Sequence, residues 1–221
     1  AAGDLAGLSA CFGRALKKLW IAYQPIVSCG KKQVYAYEAL LRSDEPSLRM
    51  PEPIFQAAER LEQGKALEEA LWQATLASVP SVPAEALIFI NIRPDELANE
   101  ALYLPDRPLS KLASRVVLEI TERVSLEGIE DVDGRVERLK AMGFRLAIDD
   151  LGAGYSGLTS FAHLKPELVK IDAALIRGVE LEPVKAKLIK TVVNMCGDMG
   201  IQVISEGVET AQERDALLGL G

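Results

Sequence analysis

The chain has 221 residues, 49% of them hydrophobic and only 5% aromatic, a globular composition long enough to bury a core. Its net charge of −7 argues against a nucleic-acid polymer held in a basic groove, but permits a small anionic substrate held through metal ions. No apolar run reaches the ~18 residues of a membrane span, and Ala1-Ala2-Gly3-Asp4 does not open a signal peptide.

Residues 5–19 read as an amphipathic helix with Leu5, Leu8, Phe12, Leu16 and Leu19 on one side, and Arg14, Lys17 and Lys18 on a solvated face. Two strands follow at 23–28 and 33–41, joined by a turn containing Gly30. Residues 52–79 read as two helices broken near Gly64 and ended by Pro80 and Pro83. Strands are then expected at 86–91, 115–121, 144–149, 167–172 and 201–205, with helices filling the gaps, clearest at 130–142, 182–198 and 209–218. Runs such as Ala86-Leu87-Ile88-Phe89-Ile90 are apolar throughout, as strands buried on both faces of a parallel sheet are. Alternating β and α points to a barrel or a doubly wound sheet. No repeat or linker divides the chain, so one domain is expected over 21–221, preceded by a helix at 1–20 that would serve as a link to an upstream domain.

Cys11, Cys29 and Cys196 are far apart and odd in number, which fits reduced cytosolic thiols better than a disulfide framework or a zinc site. His163 is the only histidine and reads as structural.

Polar residues cluster at the predicted strand ends: Asn91, Glu119 with Glu122, Asp149 with Asp150, Lys170 with Asp172, and Glu206. In a barrel these converge on the C-terminal face, whereas an open sheet would spread them along an edge, so the barrel is favoured. Asp149 and Asp150 are adjacent. At about 4 Å and an effective dielectric of about 20, two carboxylates repel by roughly 4 kcal/mol. A divalent cation relieves this, and shared carboxylates recur in two-metal phosphate-ester hydrolysis. Glu38, Asn91, Glu119, Asp149, Asp150 and Glu206 are all oxygen donors, a set suited to Mg²⁺ or Mn²⁺ rather than zinc. Lys170 would orient an attacking water or stabilise phosphate charge, or else form a plain salt bridge to Asp149 or Asp172. Gly152 and Gly154 give the segment after Asp150 its freedom, and it reads as a mobile loop that carries Asp150 into place.

These residues, taken in order, resemble the EAL-domain family of cyclic di-GMP phosphodiesterases. The chain carries Tyr23-Gln24-Pro25-Ile26-Val27, Glu38-Ala39-Leu40-Leu41-Arg42, Asn91, Leu118-Glu119-Ile120-Thr121-Glu122, Ile148-Asp149-Asp150-Leu151-Gly152-Ala153-Gly154-Tyr155-Ser156, Lys170-Ile171-Asp172 and Glu206-Gly207-Val208-Glu209. The resemblance implies a modified (β/α)8 TIM-type barrel whose first strand is antiparallel. It implies one metal at Glu38, Asn91, Glu119 and Asp149, and a second sharing Asp149 with Asp150 and Glu206. Lys170 would hold the water, and Glu206 is assigned in the family both as ligand and as general base. Arg42, Gln24 and Asp172 would contact substrate, Glu122 would anchor the 150–156 loop, and Glu209 would support the site. The implied reaction is two-metal hydrolysis of cyclic di-GMP to linear pGpG in the bacterial cytoplasm, by a homodimer often joined to a sensor or cyclase domain. The alternatives are a cyclic di-GMP receptor with little or no turnover, an interaction module, or an enolase-type barrel enzyme, which Glu38 and Asn91 fit poorly.

The chain departs from the family pattern at Leu151, Ala153 and Ser205. It also ends before the family's last strand, so a barrel short of one strand is expected.

Overall fold

The structure, a computed structural model, describes residues 2–121, 126, 128–152 and 157–221. Glu122 and the loop residues 153–156, Gly154 among them, lie outside that set. The chain divides into two compact units, Ala1–Ile90 and Asn91–Gly221.

The first unit runs α1 (Ala2–Leu16), β1 (Leu19–Ser28), β2 (Gln33–Ser43), α2 (Pro51–Arg60), α3 (Gly64–Ser78) and β3 (Leu87–Asn91), whose last residue opens the second unit. β1 and β2 form an antiparallel hairpin, and β2 pairs parallel with β3. The antiparallel first strand is the one expected. The helix break at Gly64 is also as read.

The hairpin is longer than the sequence suggests. Its register runs from Leu19 opposite Ser43 to Ser28 opposite Gln33, so Leu19 belongs to a strand and not to the first helix. The helix stops at Leu16, and the Lys18 N–H closes a turn on the Ala15 carbonyl. Phe12 and Ala15 of α1 are fully buried with Leu41, Leu48, Ile54 and Leu67, so this helix contributes to the core of its unit. Burying a Phe or Leu side chain contributes about 1.5–3 kcal/mol.

The second unit contains β4 (Val116–Thr121), α4 (Val132–Ala141), β5 (Arg145–Leu151), α5 (Gly157–Leu164), β6 (Leu168–Ile171), α6 (Ala173–Ile176), α7 (Pro183–Asp198), β7 (Gln202–Ser205) and α8 (Ala211–Leu220). Each strand pairs parallel with the next, β4 with β5, β5 with β6 and β6 with β7. Within the second unit, the Ile92 N–H donates to the Glu119 carbonyl of β4 at 2.9 Å. Residues 116–120 and 168–171 are buried throughout, and apart from Glu119 and Lys170 they are apolar without alternation.

A helix was expected in every gap. Between β3 and β4 the described residues instead form short 3-10 turns at Pro94–Ala98, Glu100–Tyr103 and Ser110–Arg115. Pro94, Pro105 and Pro108 interrupt any longer run there. Seven strands are present among the described residues, the number read from the sequence.

Candidate metal and phosphodiester site

The site is built at the C-terminal ends of β4 to β7, and Lys170 is its centre. Lys170 lies on β6 and is 1% exposed, so bulk water does not reach its ammonium group. Three carboxylates take that role. Its Nζ is 2.8 Å from Glu119 Oε1, 3.1 Å from Asp149 Oδ1 and 2.7 Å from Glu206 Oε1. An ammonium group has three donor protons. A hydrogen bond from Lys170 to a water or a phosphate oxygen must therefore compete with these contacts.

Asp149 and Asp150 reach the same site because β5 is irregular at that point. In the pairing with β6, Ile148 lies opposite Val169 and Leu151 opposite Ile171. Two residues, Asp149 and Asp150, thus oppose the single residue Lys170. In a regular strand adjacent side chains point to opposite faces. The bulge, together with a left-handed backbone at Asp150 (φ 58°), breaks that alternation. Asp150 lies within β5 and not on a following loop, which corrects the expectation that a mobile segment carries it. Thr121 at the end of β4 donates its hydroxyl to Asp150 Oδ2 at 3.2 Å.

Carboxylate oxygens of Asp149, Asp150 and Glu206 lie within 4.8 Å of one another. At that spacing each ionised pair repels by about 3–4 kcal/mol at an effective dielectric of about 20. Lys170 supplies one positive charge against four carboxylates, counting Glu119. Asp149 Oδ1 is shielded from solvent and accepts no well-angled hydrogen bond, so charge rather than hydrogen bonding compensates it. The group therefore has the ligands and the negative surplus that a hard divalent cation needs.

Glu206 follows β7, and four contacts fix its loop. The Glu206 N–H donates to the Ile171 carbonyl at 3.1 Å. Gly207 has φ 63°, and a Cβ there would lie 2.6 Å from the Ala173 Cβ, so the loop approaches α6 closely enough to require glycine. Glu209 forms a two-pronged ion pair with Arg177, which holds its carboxyl below the usual range. Glu213 accepts backbone N–H groups from both sides of the contact.

The other sequence-derived candidates are placed as follows. Gln24 and Glu38 face each other across the β1–β2 hairpin of the first unit, with Glu38 half-buried. Arg42 donates to the Leu41 carbonyl and lines a groove of about 430 Å³ with Trp20, Asp44 and Arg49. Asn91 is exposed at the end of β3. Asp172 follows β6, and its Oδ1 accepts the Ala174 N–H as the cap of α6. Glu122 lies outside the described residues. Of the candidates, Glu119, Asp149, Asp150, Lys170 and Glu206 are brought together in the second unit.

Sequence reasoning passed over Thr121, Arg177 and Glu213. Thr121 stands inside the 118–122 motif, which implies no role for it. Arg177 carries no local signal, because its partner is 32 residues away. Glu213 was legible, since Thr210-x-x-Glu213 is a capping box.

A parallel β/α unit ending in this acid and lysine cluster defines an α/β protein of the TIM-like barrel type with a metal-competent site. The chain belongs to the EAL domain family, whose model matches residues 12–221. It is 27% identical over 217 residues to the cyclic di-GMP phosphodiesterase RocR of Pseudomonas aeruginosa, covering 90% of this chain and 53% of RocR. It is 28% identical over 200 residues to the blue light- and temperature-regulated antirepressor BluF of Escherichia coli, covering 87% of this chain and 48% of BluF. The chain thus spans about half the length of these two curated relatives. Among solved structures it resembles Klebsiella pneumoniae BlrP1 in a manganese and cyclic di-GMP complex. The TM-score is 0.78 at 31% identity, covering 92% of this chain and 53% of BlrP1. No helix of the described residues is long and apolar enough to cross a membrane.

Proposed function

We propose that this chain hydrolyses one phosphodiester bond of cyclic di-GMP to give linear pGpG, using Mg²⁺ or Mn²⁺. The observation that carries the reading is the buried Lys170 among Glu119, Asp149 and Glu206, with Asp150 turned into the same group. Family membership supplies the substrate class, and the RocR and BlrP1 likenesses support it.

Asp149, Asp150 and Glu206 would hold a cation, with Glu119, Asn91 and Glu38 completing a two-metal set. The bound metal would polarise the phosphodiester and lower the pKa of a bound water. Lys170 would donate a hydrogen bond to the attacking water or to a non-bridging phosphate oxygen. Glu206, the most solvent-accessible of the three carboxylates paired with Lys170, would take a proton from water. Thr121 would keep Asp150 turned toward the group. Gln24, Arg42 and Asp172 would contact the dinucleotide. Glu122 would anchor the 150–156 loop and Glu209 would hold the loop after β7. A homodimer within a larger bacterial cytoplasmic signalling protein, with a sensor or cyclase domain upstream, is the setting proposed for it.

The second reading is a domain that binds cyclic di-GMP without turnover; a relative, BluF, is named an antirepressor and not a phosphodiesterase. Incubation with cyclic di-GMP and Mn²⁺ or Mg²⁺, with EDTA as control, separates the two. Metal-dependent pGpG supports the enzyme. Saturable binding with no product supports the receptor.

A further inference from the structure

Among the described residues of the second unit, Glu213 is the most buried carboxylate outside the Lys170 cluster, 4% exposed. Its Oε2 accepts the Glu209 N–H at 2.9 Å and the Thr210 N–H at 3.1 Å. Its Oε1 accepts the Gly178 N–H at 3.1 Å. A capping box requires only the exchange with Thr210, in which the Glu213 N–H donates to Thr210 Oγ1 at 3.1 Å. The bonds to Glu209 and Gly178 exceed what ending a helix demands. They join two separate segments, the loop that runs from Glu206 to α8 and the turn that follows α6. The three backbone donors hold the Glu213 carboxyl at about 2, so it is charged throughout the working pH range.

The two joined segments are the ones that carry the site. One begins at Glu206, and the other begins at Lys170 and continues through Ala173, Arg177 and Gly178. The Glu206 N–H bond to Ile171, the Gly207 approach to Ala173 and the Arg177–Glu209 pair fasten the same two segments at successive points. Glu213 closes this series by accepting backbone N–H groups from both segments.

We propose that Glu213 is a positioning residue, which locks the loop bearing Glu206 to the β6–α6 segment and so holds the Glu206 carboxylate beside Asp149, Asp150 and Lys170 for metal binding. The catalytic part of this role rests on the phosphodiesterase reading above, whereas the metal-binding part does not.

The test compares Glu213→Ala, Glu213→Gln and Thr210→Ala with the parent chain, by Mn²⁺ binding calorimetry, thermal unfolding and cyclic di-GMP turnover. Loss of a group that orients a metal ligand costs about 10–100-fold in affinity. Glu213→Ala is expected to weaken Mn²⁺ binding by at least about tenfold and to lower kcat more than it changes KM. Glu213→Gln keeps the capping acceptor but turns an amide N–H₂ toward one of the backbone donors. It is expected to recover most of the melting temperature and only part of the Mn²⁺ affinity. Thr210→Ala removes the cap hydroxyl alone, and is expected to lower the melting temperature with Mn²⁺ affinity unchanged.

Unchanged Mn²⁺ affinity in a folded Glu213→Ala chain would overturn the proposal. If that variant does not fold, unchanged affinity in Glu213→Gln overturns it instead. An equal loss of Mn²⁺ affinity in Thr210→Ala would show a structural cap and nothing more. A parent chain that binds no Mn²⁺ overturns both this role and the metal site. The expected Mn²⁺ differences without pGpG from the parent chain would overturn the phosphodiesterase reading and leave the role of Glu213 standing.

Discussion

Lys170 Nζ lies 2.8 Å from Glu119 Oε1, and the two side chains are 2% and 0% exposed. Neither charge can be solvated by bulk water, so each depends on the other and on the acids around them. A buried ion pair is weak evidence for net stability, because desolvation offsets the Coulomb gain. What the pair does secure is mutual dependence, since removing one partner strands the other.

Lys170→Met is therefore expected to lose turnover and also to destabilise the metal-free fold. Removing one member of a buried pair costs about 3–5 kcal/mol, through the uncompensated charge left behind. Mn²⁺ should restore part of the lost melting temperature, because a cation can stand where the ammonium stood. Thermal unfolding with and without Mn²⁺ checks this. A melting temperature equal to the parent's without metal would show that the acids do not need the lysine charge.

Asp150→Asn separates charge from conformation. Asparagine tolerates the left-handed backbone at this position and still accepts the Thr121 hydroxyl bond. It removes one carboxylate from the crowded group. The metal-free variant is expected to be more stable than the parent by on the order of 1 kcal/mol, with a smaller gain in melting temperature on adding Mn²⁺. Urea unfolding with and without Mn²⁺ measures both terms.

Gly152 has φ 102°, and a Cβ there would lie 2.2 Å from Leu175 Cδ1. Gly152→Ala is expected to cost about 1–3 kcal/mol, from the backbone conformation and the overlap together. Leu175→Ala in the same chain should relieve the overlap but not the backbone strain, which predicts a favourable coupling in a double-mutant cycle. Additive losses would show that Leu175 does not constrain the site loop.

The acid side of the stability profile should carry the signature of Glu213. A carboxyl whose pKa is depressed on folding stabilises the fold above its unfolded value, and that contribution is lost as pH falls toward the folded value. For Glu213 the window runs from the ordinary 4.5 down to about 2. Glu209, lowered by Arg177, acts in the same direction. Glu213→Gln should therefore flatten the fall in melting temperature below about pH 4.5, and bring the variant closer to the parent at acid pH than at neutrality. Parallel curves for the two proteins would contradict the assignment.

Much of this was legible from the sequence, and the parts that were not have physical reasons. The mostly apolar runs at 116–120 and 168–171 announced buried parallel strands, and Lys170 stood out as a lysine grouped with acids at the predicted strand ends. The adjacent acids at 149 and 150 were visible as well. The bulge that turns both toward Lys170 was not, because it is set by pairing with β6 and not by local composition. The start of β1 at Leu19 was hidden because Leu19 also completes a helical stripe, and only the partner at Ser43 decides between them. The Arg177–Glu209 pair spans two segments that the sequence keeps far apart.

The most direct test of the central claim is to follow cyclic di-GMP with Mn²⁺ in ¹⁸O-labelled water and analyse the product by mass spectrometry. Hydrolysis at this site predicts linear pGpG carrying a single ¹⁸O in its terminal phosphate, absent when EDTA is added and absent in Asp149→Asn. Bound but unaltered cyclic di-GMP, or a product formed equally well without metal, would contradict it.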